Sequence, residues 1–316
     1  MNSEAFPVQI PEGDTIRADK FVASLGLFTR SQISRRSVRV KDEEGQEFKM
    51  SRRLRDGDVV VVDWDDPPSS DILPEDLPLE ILHEDSQCWV LNKAQGMVVH
   101  PAHGHLHGTL VQGLLFQCKE LEEAFGGDKV RPGVVHRLDK DTSGLIVAAK
   151  NPQAMEALSA QFRERSVEKY YLAVVRGSLP QEKGDIDAPI GRSPHDRKKF
   201  DVGVRNAKTA HSRYQVLARS GHHALVLVRI LTGRTHQIRV HLKSLGAPIL
   251  GDPIYGRRDE RFSQATLMLH SWRLSITLPG EDGARLFQAP LPPRFHEILE
   301  DLNIPLTVLE EQRCSL

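Results

Sequence analysis

The chain has 316 residues, a formal net charge of −1, 27% charged and 39% hydrophobic residues, enough length for a large domain and a small one, each with its own core. No uninterrupted apolar run approaches a membrane span, and Met1–Ile10 carries acidic Glu4 without a basic stretch, so it does not read as a secretory signal. Cys88, Cys118 and Cys314 lie far apart without a CxxC pair, which argues against a disulfide framework or zinc module and predicts a reducing, cytoplasmic setting.

Residues 17–25 read as a short helix, and Thr29-Arg30-Ser31-Gln32-Ile33 could start a second. Arg55-Asp56-Gly57-Asp58 turns into the apolar run 59–62. A proline- and acid-rich stretch, residues 65–70, marks a composition shift. The expected division is a small α+β module over residues 1–66, a linker over 67–78 and a large domain over 79–316. Residues 79–92 alternate apolar and polar about Glu84-Asp85, predicting paired strands. Residues 144–150 read as a buried strand. Asn151 then caps a helix with Pro152 at its first position, and Met155, Leu158 and Phe162 line one face. Residues 170–175 form the next strand, and 212–217 with 224–231 a hairpin about Ser220-Gly221. A further helix starts near Thr235, with Ile238, Leu242 and Leu245 on one face and Gly246 as its stop. Many strands with a few helices between them predict an α+β fold.

The small net charge hides segregation. Residues 202–251 hold eight Lys or Arg and no acids, and residues 30–41 hold five basic residues and no acids. Residues 56–92 have acids but no Lys or Arg. Basic blocks separated by an acidic one suggest a surface for a polyanion.

Two clusters carry candidate chemistry. HRLDKDTSG, residues 136–144, puts charged side chains beside a turn between two apolar runs, a rigid mount for a reactive group. The plainer reading is a polar turn whose Asp139 or Asp141 binds backbone N–H groups. Around Thr232-Gly233-Arg234, Arg234 falls at a helix N-terminus, where free N–H groups favour anions. His236, Arg239 and Lys243 then follow on the face opposite Ile238, so an anion-facing helix is expected.

HRLDKDTSG followed by GRTHQIRVHLKSLGAPILGDPIYG, residues 233–256, resembles the RluA-type pseudouridine synthases. Leu91-Asn92-Lys93, Val99-His100-Pro101, Lys169-Tyr170-Tyr171 and Ala289-Pro290-Leu291-Pro292 match in the same order, with Ala94 where the family commonly has proline. Arg17 to Phe21, Thr29 to Ile33 and Arg55 to Asp58 resemble an S4 RNA-binding domain, shortened between Ile33 and Val38. The resemblance implies a pseudouridine synthase fold with a central, largely antiparallel mixed sheet. It makes Asp139 the catalytic aspartate, Arg234 its basic partner, Tyr171 the tyrosine against the uracil and Arg137 the side chain that fills the space of the flipped uridine. His136, Lys169, His236, Gln237 and Arg239 are expected to contact substrate or RNA.

The chemistry agrees with these roles. Pseudouridine formation breaks the C1′–N1 bond, turns the uracil and rejoins it through C5, so base and ribose both remain and no cofactor, metal or redox step is required. A carboxylate could attack the sugar or remove a sugar proton, and a cationic neighbour favours its ionised form. The uridine leaves its stack at a cost of about a few kcal/mol, which an inserted side chain and an aromatic contact offset. The expected partner is RNA, ribosomal RNA ahead of transfer RNA, with no membrane and a monomer as the default.

The same residues admit other readings. The histidine-rich residues 100–107 could suggest zinc, but only His100 matches the motif and a hydrolytic site needs converging ligands. A glycosylase would commonly need a second carboxylate, for which Asp141 is the candidate. A non-catalytic RNA-binding factor would be expected to lack Asp139, Arg234 or Tyr171, and all three are present.

Overall fold

Along Val59–Trp64 Val60 and Val62 turn inward, and this strand forms the middle of a small sheet. The computed structural model describes residues 2–11, 13–25, 38–64, 72–102, 104–118, 121, 133–196 and 198–310. Contacts divide the chain into two units, Met1–Asp71 and Ile72–Leu316. The first contains β1 (Asn2–Pro7), β2 (Ile16–Arg17), α1 (Ala18–Ser24), β3 (Arg39–Lys41), β4 (Glu47–Phe48), β5 (Arg53–Leu54) and β6 (Val59–Trp64). Strands β1, β6, β3 and β4 pair in that order, antiparallel throughout, and β2 pairs with β5. Val22, Val40, Leu54, Val60 and Val62 fill its core. The expected helix at Thr29–Ile33 and the stretch 65–70 lie outside the described residues.

The second unit contains β7 (Glu80–Glu84), β8 (Cys88–Lys93), α2 (Leu110–Gln117), β9 (Ser143–Ala149), α3 (Pro152–Glu164), β10 (Glu168–Arg176) and β11 (Lys183–Asp187). It continues through β12 (Ile190–Arg192), β13 (Phe200–Val202), β14 (His211–Ser220), β15 (His223–Ile230), α4 (Gln237–Ser244), β16 (Leu269–Thr277), β17 (Ala284–Gln288), α5 (Pro293–Asp301) and α6 (Thr307–Glu310). The large sheet runs β11-β14-β15-β10-β16-β9-β8-β7, with β17 joining β16. Among the described residues, its one parallel pair is β9 with β16, through His270–Ser143 and Ser271–Gly144. The fold is therefore α+β on a mixed, largely antiparallel sheet, as expected.

Both faces of β9 are buried. One side packs into the cluster holding Ile146, Ala148, Tyr171 and Leu269. The other packs with Leu145 and Val147 against Met155, Leu158 and Phe162 of α3. That helix begins as its cap residue requires: the Asn151 side chain accepts from the Ala154 N–H. At the entry to β9, Gly144 has φ +108°, and a Cβ there would meet the Ser271 carbonyl at 2.2 Å. Only glycine lets β9 approach β16 this closely, and this junction delivers the preceding loop into the middle of the sheet.

Candidate active site

The loop carrying Asp139 runs from an isolated bridge, Val134 to Ala148, into β9. Leu138 is buried and anchors it, while Arg137 is exposed and Asp139 partly so. The Thr142 N–H donates to the Asp139 carbonyl at 3.1 Å, closing the turn. Next to it, the Lys140 carbonyl accepts from the Gly96 N–H at 2.9 Å and from Lys93 Nζ at 3.1 Å. Lys93 also donates to the carbonyls of Ala94 and Met97. This ammonium is buried, and burial pulls it down to about 7. Gln95 Nε2 holds the Asp141 carbonyl at 2.8 Å. Lysine and glutamine thus pin the loop by its backbone, leaving the Asp139 carboxylate directed at a cleft.

That cleft is lined by Arg137, Asp139, Tyr171, Arg234, His236 and Arg239, with Ile230, Leu138 and Leu269 among its apolar walls. Asp139 Oδ2 accepts from Arg239 Nη1 at 3.3 Å. The same guanidinium donates from Nε and Nη2 to both oxygens of Asp252, each at 2.8 Å. The Arg239 and Asp252 side chains are only 3% and 0% exposed, against 19% for Asp139. Burial alone would push the Asp252 carboxyl up, but the Arg239 hydrogen bonds and charge hold it below its ordinary value. Two carboxylates share one guanidinium, so Asp139 is less neutralised than in a one-to-one pair and is the one open to the cleft.

Here the resemblance implied a different arginine. The cation paired with Asp139 is Arg239, not Arg234. Arg234 lies ahead of α4, donates its Nε to the Thr209 carbonyl and sits in the cleft wall. Nor is α4 a solvated, anion-facing helix: Gln237, Arg239 and His241 are buried along with Ile238, Val240 and Leu242. Arg239 faces Asp139 and Asp252, while Lys243 reaches Asp201 at 3.3 Å. Gln237 braces the loop instead of reaching outward, accepting from the Thr232 hydroxyl and the Arg234 N–H and donating to His211 and Ser212.

Tyr171 and His236 do reach the cleft. The Tyr171 phenol is buried, which pushes it up to about 12, so it stays protonated at neutral pH. Its neighbour Tyr170 is buried with its hydroxyl toward Glu168. His236 Nε2 stands 4.0 Å from Asp139 Oδ2. Its backbone has φ +57°, a left-handed conformation costing a bulky residue about 1–3 kcal/mol and typical of functional sites.

His136 and Lys169 belong elsewhere. The His136 ring stacks on Phe162 at 4.5 Å and its Nε2 accepts the Val147 N–H at 2.9 Å. Burial, with the nearby Lys169 charge, pushes it down to about 3, so it is neutral. Lys169 is buried, with its ammonium over the same Phe162 ring at 5.6 Å. His136 braces β9 against α3, Lys169 packs on α3, and neither lines the cleft. Conversely, Asp252, Tyr255 and Gln95 escaped the sequence reading. Asp252 and Tyr255 lie within GDPIYG, but nothing in their spacing announces a partner thirteen or nineteen positions back.

The α+β fold on a mixed, largely antiparallel sheet agrees with what comparison with known proteins shows. The family of RNA pseudouridylate synthases matches residues 87–244, and the chain belongs to this family of RNA-isomerising enzymes. A ribosomal large subunit pseudouridine synthase D of Borreliella burgdorferi is 40% identical over 89% of this chain and 88% of its own. An uncharacterised RNA pseudouridine synthase of Bacillus subtilis is 43% identical over 91% and 94%. Among solved structures, human RNA pseudouridylate synthase domain containing 1 superposes with a TM-score of 0.57 at 27% identity, covering 72% of this chain and 96% of the other.

Proposed function

We propose that this RNA pseudouridine synthase modifies uridines of ribosomal RNA with Asp139 as its catalytic carboxylate. The observation that carries the reading is that Asp139 opens onto the cleft while the buried Arg239, itself clamped by Asp252, hydrogen-bonds to it. A uridine turned out of its helix would place its ribose against Asp139 and its uracil against Tyr171, in a cleft with apolar walls. Arg137, exposed at the rim, would fill the space that the base vacates. Asp139 would act on the ribose while the uracil departs from C1′ and returns through C5, which then gives up its hydrogen as N1 takes up a proton.

The ribosomal target rests on the relatives named as large-subunit enzymes. The unit Met1–Asp71 would serve as an S4-like RNA-binding module, and the enzyme would work in the cytoplasm as a monomer. No helix among the described residues is long and apolar enough to cross a membrane.

The test is incubation of the purified protein with unmodified ribosomal and transfer RNA, followed by chemical mapping of pseudouridine. New sites in large-subunit RNA are expected, and modification of transfer RNA alone would replace the proposed target. Asp139→Ala is expected to bind RNA yet form no pseudouridine. Undiminished product from that variant would remove Asp139 from its role.

A further inference from the structure

Tyr255 lies in the turn after Asp252, and its hydroxyl makes two polar contacts. The Phe200 N–H donates to the Tyr255 oxygen at 2.9 Å. On the other side, the same oxygen is 2.8 Å from His236 Nδ1. The Phe200 N–H can only donate, so among the described residues Nδ1 is the acceptor within reach of the phenolic hydrogen, and that assignment leaves no hydroxyl hydrogen unpartnered. Nδ1 is then unprotonated, and a neutral imidazole must carry its hydrogen on Nε2. That nitrogen faces Asp139 Oδ2 from 4.0 Å, too far for a direct hydrogen bond. Its N–H is therefore left for whatever enters the cleft.

We infer that Tyr255 is a positioning residue that locks His236 as the Nε2–H tautomer, making His236 a neutral hydrogen-bond donor to an oxygen of the reacting nucleotide. The inference rests on the pseudouridine synthase reading only for the identity of that nucleotide. Neutrality follows from the surroundings. Burial disfavours the imidazolium, and Arg239 and Arg137 add to this against the opposing charges of Asp139 and Asp252. The ring is fixed edge-on to both Tyr255 and Phe200, so the donor direction is set before substrate arrives. As C1′–N1 breaks, its electron pair passes into the uracil and spreads onto the carbonyl oxygens. A donor already aimed there stabilises that charge without reorganising. A neutral donor also leaves the hydrogen in place, so the uracil is not trapped as a protonated leaving group before it turns.

The strained φ of His236 gains a reason here, because that backbone conformation brings Nδ1 to Tyr255 and Nε2 to the cleft together. The tyrosine acts through histidine only, since its hydroxyl hydrogen is engaged with Nδ1.

The experiment is nitrogen-15 NMR of histidine-labelled full-length protein without RNA, the His236 signals being identified by their loss in His236→Gln. At pH 7 the expected pattern is a protonated Nε2 and an unprotonated Nδ1. Tyr255→Phe is expected to abolish the fixed tautomer and to lower kcat on RNA about tenfold, a part of what losing an oriented donor costs, with KM unchanged. It is also expected to move the protonation of His236 up toward its ordinary value of about 6.5, giving activity a new acid limb. A proton on Nδ1, or an imidazolium, in the unsubstituted protein overturns the inference. So does Tyr255→Phe with unaltered His236 signals. The tautomer is read without RNA, so its outcome stands apart from whether the enzyme modifies the proposed target.

Discussion

Asp252→Ala isolates the interaction that holds the site together. Asp252 is fully buried, accepts two 2.8 Å hydrogen bonds from Arg239 and takes the N–H groups of Ile254 and Tyr255 at 2.9 and 3.1 Å. Removing one partner of a buried pair leaves the other charge without compensation, at about 3–5 kcal/mol. The orphaned N–H groups add to this. Asp139 at 3.3 Å remains as a second partner for Arg239 and offsets part of the loss, so about 3 kcal/mol is expected for the unit Ile72–Leu316. Guanidinium chloride unfolding of both proteins measures it. The pH dependence carries a sign that can be checked as well. The Asp252 carboxyl is held below its ordinary value in the fold, so its contribution is present above the unfolded value of about 3.9. It is lost as pH falls below that value toward the folded one. The alanine variant should therefore lose less of its remaining stability between about pH 4 and pH 3 than the parent. A variant within about 1 kcal/mol of the parent at pH 7, or an unchanged acid-side slope, would refute the buried-pair reasoning.

Two substitutions test other parts of the fold. His136→Leu should leave the Val147 N–H without its acceptor and cost about 1–3 kcal/mol, while RNA affinity by filter binding stays within about twofold. A large drop in affinity without loss of stability would return His136 to the RNA surface. Gly144→Ala combines a φ of +108° with a Cβ 2.2 Å from the Ser271 carbonyl. Since backbone flanks it on both sides, a lowered Tm corresponding to about 3 kcal/mol or more is expected, and an unchanged Tm would mean that β9 and β16 part without cost.

Much of this was legible locally. Asn151 with Pro152 announced α3, and alternation announced the strands of the large sheet, because caps and period-two patterns act over a few residues. HRLDKDTSG marked the loop by its local pattern, while Asp139 within it was named by the family resemblance. The loop clamp was less visible: Lys93 stood only inside a resemblance, since its three carbonyl partners lie one, four and forty-seven residues away.

The choice between Arg234 and Arg239 was open to neither composition nor period. Both belong to one short basic stretch, and a helical wheel assigns an apolar and a polar face only when one face meets water. Helix α4 is buried on several sides, so its polar residues point at partners brought from elsewhere. What the sequence determined by itself was the set of reactive types and the elements that carry them. Which cation meets Asp139, and that His136 and Lys169 pack on Phe162 away from the cleft lining, was decided by tertiary packing. The physical reason is that a buried charge must find its counter-charge or hydrogen bonds within the fold, and for Arg239 these lie at Asp139 and Asp252.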